Sequence, residues 1–173
     1  MSGTLKPNWF SRDTKVVARE LLGKLLCRRL PNGEVIRLTI NEVEAYVGPH
    51  DAASHAFNNR RTKRTEVMFG EAGTIYIYLI YGMHYMLNIV TESVDYPAAI
   101  LIRGVGDFDG PGKLTKILEI DKDLNNHSLS ERLGLWIEDS VLVPDEKILA
   151  TPRIGINYAA EPWKSALLRY IVK

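Results

Sequence analysis

The sequence predicts an α+β fold with a mixed or largely antiparallel β-sheet. Strand-like segments outnumber helical ones and follow one another in runs, whereas a doubly wound parallel sheet requires alternating strands and helices. The 173 residues are 46% hydrophobic, which is sufficient for one domain with a sizeable core. No internal repeat, low-complexity tract or linker interrupts the chain, so residues 1–173 are expected to form a single domain.

The first half of the chain is predicted to contain one helix and one long strand. Apolar residues recur with helical spacing over residues 11–26, and Asp13 is placed to cap this helix. Residues 31–33, with the sequence Pro-Asn-Gly, predict a turn. Branched residues then predict a strand over residues 34–47, and a short helix or turn is expected over residues 51–56.

The second half of the chain is predicted to be rich in strands. Residues 74–79 and 83–91 predict two strands joined by a turn at Tyr81 and Gly82. The other predicted elements are strands over residues 98–104, 135–138, 153–156 and 167–172, and a helix over residues 113–120 behind a Gly-Pro-Gly breaker.

Charge and cysteine content exclude several classes of protein. The 22 basic and 21 acidic residues give a net charge of +1, so the whole-chain charge does not indicate a nucleic-acid binder, although the basic run at residues 60–64 can still form a basic face. The single Cys27 excludes an internal disulfide and a cysteine-based zinc site, and its apolar neighbours predict a buried, inert thiol. Because no signal peptide is evident and no apolar run reaches the roughly 20 residues of a membrane span, we expect a cytoplasmic protein that does not bind membranes.

Acids, a tyrosine and two histidines come close together at the end of the long predicted strand. Glu42, Glu44 and Tyr46 alternate along the strand and therefore share one face. A carboxylate against aromatic walls has a raised pKa and can act as a general base near neutral pH, whereas on an exposed face the two acids would be solvated. His50 and His55 follow in a loop and could form a divalent-metal site with Glu44, although their spacing matches no zinc pattern.

Four tyrosines lie among apolar residues in the predicted hairpin. Tyr76 and Tyr78 share a strand face and are either core residues or a stacking platform for a flat ligand. Tyr81 lies at the turn, where a large ring has no reason to be buried, and protruding side chains of this kind act as wedges in DNA base stacks. The basic loop at residues 60–64 and Lys113 could hold phosphates or could be solvated charges.

Taken together, these motifs resemble the alkyladenine (3-methyladenine) DNA glycosylases, the type without a helix–hairpin–helix. The resemblance extends from about Phe10 to the C-terminus and rests on six sites in the same order: EVEAYVGPHDAASH at 42–55, GTIYIYLIYGM at 73–83, Asn88, LIRG at 101–104, GPGKL at 110–114 and PRIGI at 152–156. It implies a curved, mostly antiparallel sheet surrounded by helices. It also implies a monomer without a metal or other cofactor, whose partner is double-stranded DNA with a damaged purine.

The resemblance implies a monofunctional glycosylase that flips alkylated or deaminated purines out of duplex DNA and starts base excision repair. In this interpretation Glu44 activates a water that hydrolyses the N-glycosidic bond, and Arg103 lies near the pocket and that water. The implied walls of the base pocket are Tyr46, His55, Tyr78 and Asn88. Asn88 would exclude normal guanine, because it occupies the place that the guanine amino group needs.

The same resemblance assigns the DNA contacts. Tyr81 would enter the duplex in place of the flipped nucleotide, and Met83 would flank it. The basic character of the residues, independently of the resemblance, predicts phosphate contacts from Arg60, Arg61, Arg64 and Lys113. The segment between Arg103 and Gly110 is shorter than in some relatives, which bears on DNA affinity and damage range. Two alternatives stay open: a metal-assisted hydrolase that uses Glu44 with the two loop histidines, and a DNA-damage binding module without catalysis.

Overall fold

The computed structural model describes residues 3–173, which form short helices and a large sheet. The helices are α1 (Pro7–Phe10), α2 (Thr14–Leu21) and α3 (Pro111–Ile117). The strands are β1 (Leu25–Arg29), β2 (Val35–Tyr46), β3 (Ile75–Ile80), β4 (His84–Val90), β5 (Ala99–Val105), β6 (Phe108–Asp109), β7 (Leu135–Glu138), β8 (Ile148–Thr151) and β9 (Arg169–Val172). Short 3₁₀ turns occupy Phe57–Asn59, Thr65–Phe69, Lys122–Leu124 and Asp145–Lys147.

The strands pair antiparallel in one nine-stranded sheet, which confirms the predicted α+β class with a curved, antiparallel sheet. The order along the main path is β3-β4-β5-β2-β1-β7, while β6 pairs with β5 and β9 pairs with both β2 and β8. The long strand β2 changes partners along its length. Its first half pairs with β1, and its second half lies between β5 and β9. Register shifts between β2 and β5 bend the sheet at this point.

The main hydrophobic core lies on one face of the sheet, beneath α2 and α3. Ile75 and Ile77 of β3 face this core, together with Val17 and Leu21 of α2 and Leu114 of α3. Because side chains alternate along a strand, the residues between these positions project from the opposite face. That second face carries polar and aromatic side chains that line a cavity.

The N-terminal helix is shorter than the predicted span of residues 11–26. The Asp13 carboxylate accepts hydrogen bonds from the backbone N–H groups of Lys15 and Val16, which confirms the predicted cap. The helix ends at Leu21, because Gly23 has φ +88° and a Cβ there would meet the Val141 carbonyl oxygen at 2.7 Å. The apolar residues beyond Gly23 form β1 instead. Cys27, in β1, is fully buried as predicted. Burial is the main cause that raises the pKa of its thiol to about 12, and the negative charge of Glu138 also contributes.

The strand predicted at residues 153–156 is wrong. Residues 152–156 form an irregular loop, and the strand is the preceding β8, which pairs with β9. Pro152 cannot donate a ladder hydrogen bond, and Gly155 has φ +75°, so this stretch does not continue the strand. The helix predicted at residues 113–120 starts two residues earlier, with Pro111 in its first turn. Within residues 3–173, no helix has the length and apolar character needed to cross a bilayer.

Candidate active site

The sheet register places four side chains in one row on the face opposite the main core. Tyr76 pairs with Asn88, Asn88 with Leu101, and Leu101 with Glu44, across β3, β4, β5 and β2. Directly paired residues project from the same face, so an acid from β2 lies on the same face as the tyrosines of β3. A cavity of about 570 Å³ lies over this row, which is within the usual size range of small-molecule sites.

Glu44 lies at the floor of this cavity and is 0% exposed. The Tyr46 hydroxyl donates to its Oε2 at 2.9 Å, and the Ile154 backbone N–H donates to its Oε1 at 2.7 Å. The Arg103 Nη1 lies 3.7 Å from Oε1. These groups offset the cost of burying a carboxylate. The alternative in which the two acids lie on a solvated strand face is therefore wrong for Glu44.

Arg103 reaches the carboxylates because the pairing of β2 with β5 is irregular at this point. The register shifts between Glu42 and Val43, so that Arg103 is the extra residue on β5. Such bulges redirect side chains and occur next to active sites. The Arg103 Nε donates to Glu42 Oε1 at 3.0 Å, and the Arg169 Nε donates to the same oxygen at 2.7 Å. Glu42 thus holds Arg103 in place, while Glu44 faces the cavity.

The cavity walls include several tyrosine rings and the imidazole of His55. The His55 ring meets Tyr78 edge-on, with 4.7 Å between centroids, and its Nδ1 lies 3.1 Å from the Tyr76 hydroxyl. Burial, assisted by the nearby Arg64, lowers the pKa of His55 to about 4, so the imidazole is neutral at pH 7. Burial also raises the pKa of Tyr46 and of Tyr78, so both hydroxyls remain protonated and can donate hydrogen bonds. These walls suit a flat ring system.

Asn88 is fully enclosed and has a fixed orientation. Its amide nitrogen donates to the carbonyl oxygens of Tyr76 and Met86, at 3.1 and 3.3 Å. Because both hydrogens of the Asn88 amide are directed to backbone carbonyls, the side chain cannot rotate freely when a group enters the cavity. Asn88 is thus a rigid part of the wall.

The β3–β4 turn carries the two residues predicted to enter DNA. Tyr81 is 89% exposed and Met83 is 68% exposed. The strand ends pair Ile80 with His84, so the loop has three residues; Tyr81 and Gly82 have φ of +51° and +67°, and the Met83 N–H donates to Ile80 O at 3.1 Å. A tyrosine is uncommon in this conformation, where asparagine or glycine is usual. The turn therefore holds a large ring away from the sheet at a local energetic cost.

The basic loop divides into two kinds of arginine. Arg60 and Arg64 line a second groove of about 500 Å³, which shares His55, Arg64 and Tyr158 with the lining of the main cavity. Arg64 also lies over the Tyr78 ring, 4.8 Å from its centroid. Within the described part of the chain, neither arginine has a carboxylate at ion-pair distance.

Two other predicted phosphate contacts are engaged in ion pairs. Arg61 binds Glu66 at 2.7 Å and Asp95 at 3.2 Å, and it lies outside the second groove. Lys113 binds Asp109, four residues earlier in β6, at 2.9 Å. Both cations are exposed, so a phosphate would have to displace their carboxylate partners.

Sequence reasoning missed the part of the site that lies after β8. The Ile154 N–H donates a hydrogen bond to Glu44. Tyr158 lines both cavities, and its hydroxyl donates to Ala53 O at 2.6 Å. Asp51 and Arg153 form a buried ion pair between the two loops. The PRIGI motif marked this region, but its predicted strand gave these residues no role.

The proposed metal site of Glu44, His50 and His55 does not form. Among residues 3–173, no three histidine, cysteine or acidic side chains come together as metal ligands. His50 is exposed and packs 5.3 Å from Trp163, measured between ring centroids. His55 instead contacts the tyrosines of β3.

Comparison with known proteins agrees with this geometry. The sequence matches the methylpurine-DNA glycosylase family over residues 8–109 and 106–173. It is 40% identical to a protein of Psychrobacter cryohalolentis over 99% of this chain and 92% of that protein. It is 44% identical to one of Legionella pneumophila (95% of this chain, 92% of that protein) and 36% identical to one of Clostridium perfringens (96% and 94%). All three relatives carry the name "Putative 3-methyladenine DNA glycosylase".

Proposed function

This chain belongs to the methylpurine-DNA glycosylase family, and we propose that it is a monofunctional DNA glycosylase that removes 3-methyladenine-type damaged purines from duplex DNA. The observation that carries the proposal is the fully buried Glu44 carboxylate at the floor of an aromatic cavity of about 570 Å³. A base in a DNA duplex cannot reach such a floor while stacked, so the damaged nucleotide must be flipped into the cavity.

Tyr46, His55 and Tyr78 would hold the flipped base. An N-alkylated purine carries a positive charge, which the faces of aromatic rings favour. The neutral His55 adds no positive charge to the cavity wall. Asn88 would reject normal guanine, because its amide is held by two backbone carbonyls and would not move aside for the guanine amino group.

Glu44 would act as general base toward one water. The water oxygen bonds to C1′ of the damaged nucleotide as the C1′–N bond breaks, the bonding electron pair leaves with the base, and Glu44 accepts the proton of the water. Arg103 would hold this water and balance the carboxylate. Because the bond to an alkylated purine is already weakened, the step requires no further cofactor.

Tyr81 and Met83 would enter the duplex at the place that the flipped nucleotide leaves. Arg60 and Arg64 would bind backbone phosphates in the groove beside the cavity. Arg61 and Lys113 would contribute only after exchange of their acidic partners. The protein is proposed to work as a single-domain monomer in the cytoplasm.

The test uses duplex DNA with one hypoxanthine or ethenoadenine, or methylated DNA, with EDTA present. Release of free base, with the strand intact until alkali is added, would support a monofunctional glycosylase. Lesion binding without release would instead favour a damage-binding module, and release that EDTA blocks would favour the hydrolase.

The variant Glu44→Gln tests the mechanism. Glutamine keeps the shape of the side chain, so lesion binding should persist, while single-turnover release should fall about 100-fold or more with loss of the general base. The matched control is Glu138→Gln, since Glu138 is another strand-borne carboxylate with two side-chain donors but lies outside the cavity. Its release rate should equal that of the wild type. Full turnover by Glu44→Gln would refute the assigned role.

A further inference from the structure

We infer that the buried Asp51–Arg153 ion pair positions the Glu44 carboxylate. The pair fixes the loop of Arg153, and the next residue of that loop, Ile154, orients Glu44 through its backbone N–H. This inference rests on the proposed function, since it takes Glu44 as the general base. Arg153 is a positioning residue: it acts through Ile154 and does not line the cavity itself.

The ion pair is short, two-pronged and shielded from solvent. The Arg153 Nη1 lies 2.6 Å from Asp51 Oδ2, and Nη2 lies 2.9 Å from Oδ1. Both side chains are 0% exposed. Two parallel hydrogen bonds fix the plane of the guanidinium relative to the carboxylate, which a single contact does not do.

Arg153 also ties its loop to the strand that carries Glu44. Its Nη1 donates to the backbone oxygen of Ala45 at 3.0 Å, and its guanidinium lies 4.7 Å from the centroid of the Tyr46 ring. These two residues directly follow Glu44 on β2. The residue after Arg153 is Ile154, whose N–H donates to Glu44 Oε1 at 2.7 Å. A shift of Arg153 would therefore move the hydrogen-bond donor and one cavity wall together.

Asp51 anchors the other loop of the site. Its two oxygens accept the backbone N–H groups of Val47 and Ala53, at 3.1 and 3.0 Å. This turn leads directly to His55, which forms part of the cavity wall. The ion pair thus joins the loop of His55 to the loop of Ile154 at one point.

The chemistry of the ion pair indicates that its main role is to position neighbouring groups and not to stabilise the fold. Burying two charges is costly, and apolar residues of similar volume often stabilise a core as well or better. Arg153 Nε, moreover, lacks a hydrogen-bond partner within residues 3–173, so the guanidinium is not fully satisfied. A pair kept at this cost and placed one residue from a donor to Glu44 is suited to hold a reacting group, for which a 1 Å displacement can reduce rates about 100-fold.

The test is Arg153→Lys, which retains the charge but cannot form two parallel hydrogen bonds or keep the planar contact with Tyr46. We expect single-turnover base release at saturating enzyme to fall at least tenfold. Lesion binding, measured in the Glu44→Gln background with and without Arg153→Lys, should change less than threefold. Asp51→Asn is the second variant, and we expect the same separation of rate from binding.

Lys24→Gln is the matched control for lost stability. The buried Lys24 forms an ion pair of 2.6 Å with the exposed Asp139, away from the cavity. This variant should lower Tm without changing the release rate, which is measured for every variant well below its own Tm.

The inference would be overturned if Arg153→Lys released base at a rate within twofold of the wild type, or if it lost rate and binding equally. The same rate loss in Lys24→Gln would also overturn it. Failure of both site variants to fold would assign the ion pair to stability alone. A wild-type protein that releases no base would instead overturn the proposed function.

Discussion

Replacing Arg60 and Arg61 one at a time by glutamine should separate a phosphate contact from a structural ion pair. The two arginines are adjacent in sequence and both are exposed. Arg60 lines the groove beside the cavity, whereas Arg61 is held by Glu66 and Asp95. Sequence alone treats them as equivalent members of one basic run.

The expected magnitude follows from counterion release. Each phosphate contact contributes about 0.9 to the slope of log K against log salt concentration, so a fourfold rise from about 50 to 200 mM salt weakens each contact about 3.5-fold. Arg60→Gln should therefore lower the slope by about one, so that salt weakens binding about 3.5-fold less than in the wild type. Arg61→Gln should leave the slope almost unchanged, because Arg61 would first have to give up two carboxylates.

The assay is the affinity for undamaged duplex DNA at several salt concentrations. Undamaged DNA leaves the base cavity empty, so the measurement reports backbone contacts without effects on the flipped base. Equal slopes for Arg60→Gln and the wild type, or a larger change in Arg61→Gln than in Arg60→Gln, would refute the assignment of the groove to the phosphate backbone.

Two further predictions concern the turn and the loop of the site. Tyr81→Asn should stabilise the fold by about 0.5–1 kcal/mol, because asparagine tolerates the positive φ, and chemical denaturation measures this change. The same variant should bind lesion duplex about tenfold more weakly in a titration, because it lacks the stacking ring. Unchanged lesion affinity would count against the role of Tyr81 as a wedge. His55 has a folded-state pKa of about 4 against about 6.5 when unfolded, so its contribution to stability is complete above pH 6.5 and is lost as the pH falls toward 4, on the order of 3 kcal/mol in all, of which about 2 kcal/mol is lost by pH 5. Denaturation at pH 7 and pH 5 should show this loss in the wild type and in His50→Gln but not in His55→Gln; an equal loss in His55→Gln would assign it to other groups.

Local patterns in the sequence were sufficient for much of the fold. The Asp13 cap, the turn at Tyr81 and Gly82 and the strands β2, β3, β4, β5 and β7 all follow from short-range spacing and turn chemistry, which act within a few residues. The errors occurred where a long-range contact decided the conformation. The helix predicted over residues 11–26 ends at Leu21, and Gly23 then takes a positive φ where a distant loop lies too close for a side chain. Apolar leucines fit the core from either a helix or a strand.

Single side chains of the site were predictable in the same way, but their environments were not. Glu44 and Tyr46 share a face because strands alternate, and the prominent Tyr81 follows from its turn. The motif resemblance supplied roles for these positions, and the match to the family agrees with it.

The sequence by itself therefore determined the strands β2, β3, β4, β5 and β7, which residues share a face and which family the chain resembles, because those properties depend on nearby residues and on ordered motifs. Only the tertiary structure decided that Glu44 is buried at a cavity floor, that Arg61 is paired while Arg60 has no carboxylate partner among residues 3–173, and that Arg153 meets Asp51. These facts depend on which strand pairs with which, and on loops about 100 residues apart that meet only when the sheet closes. Burial and ion pairing depend on these long-range contacts, and no local sequence pattern predicts them.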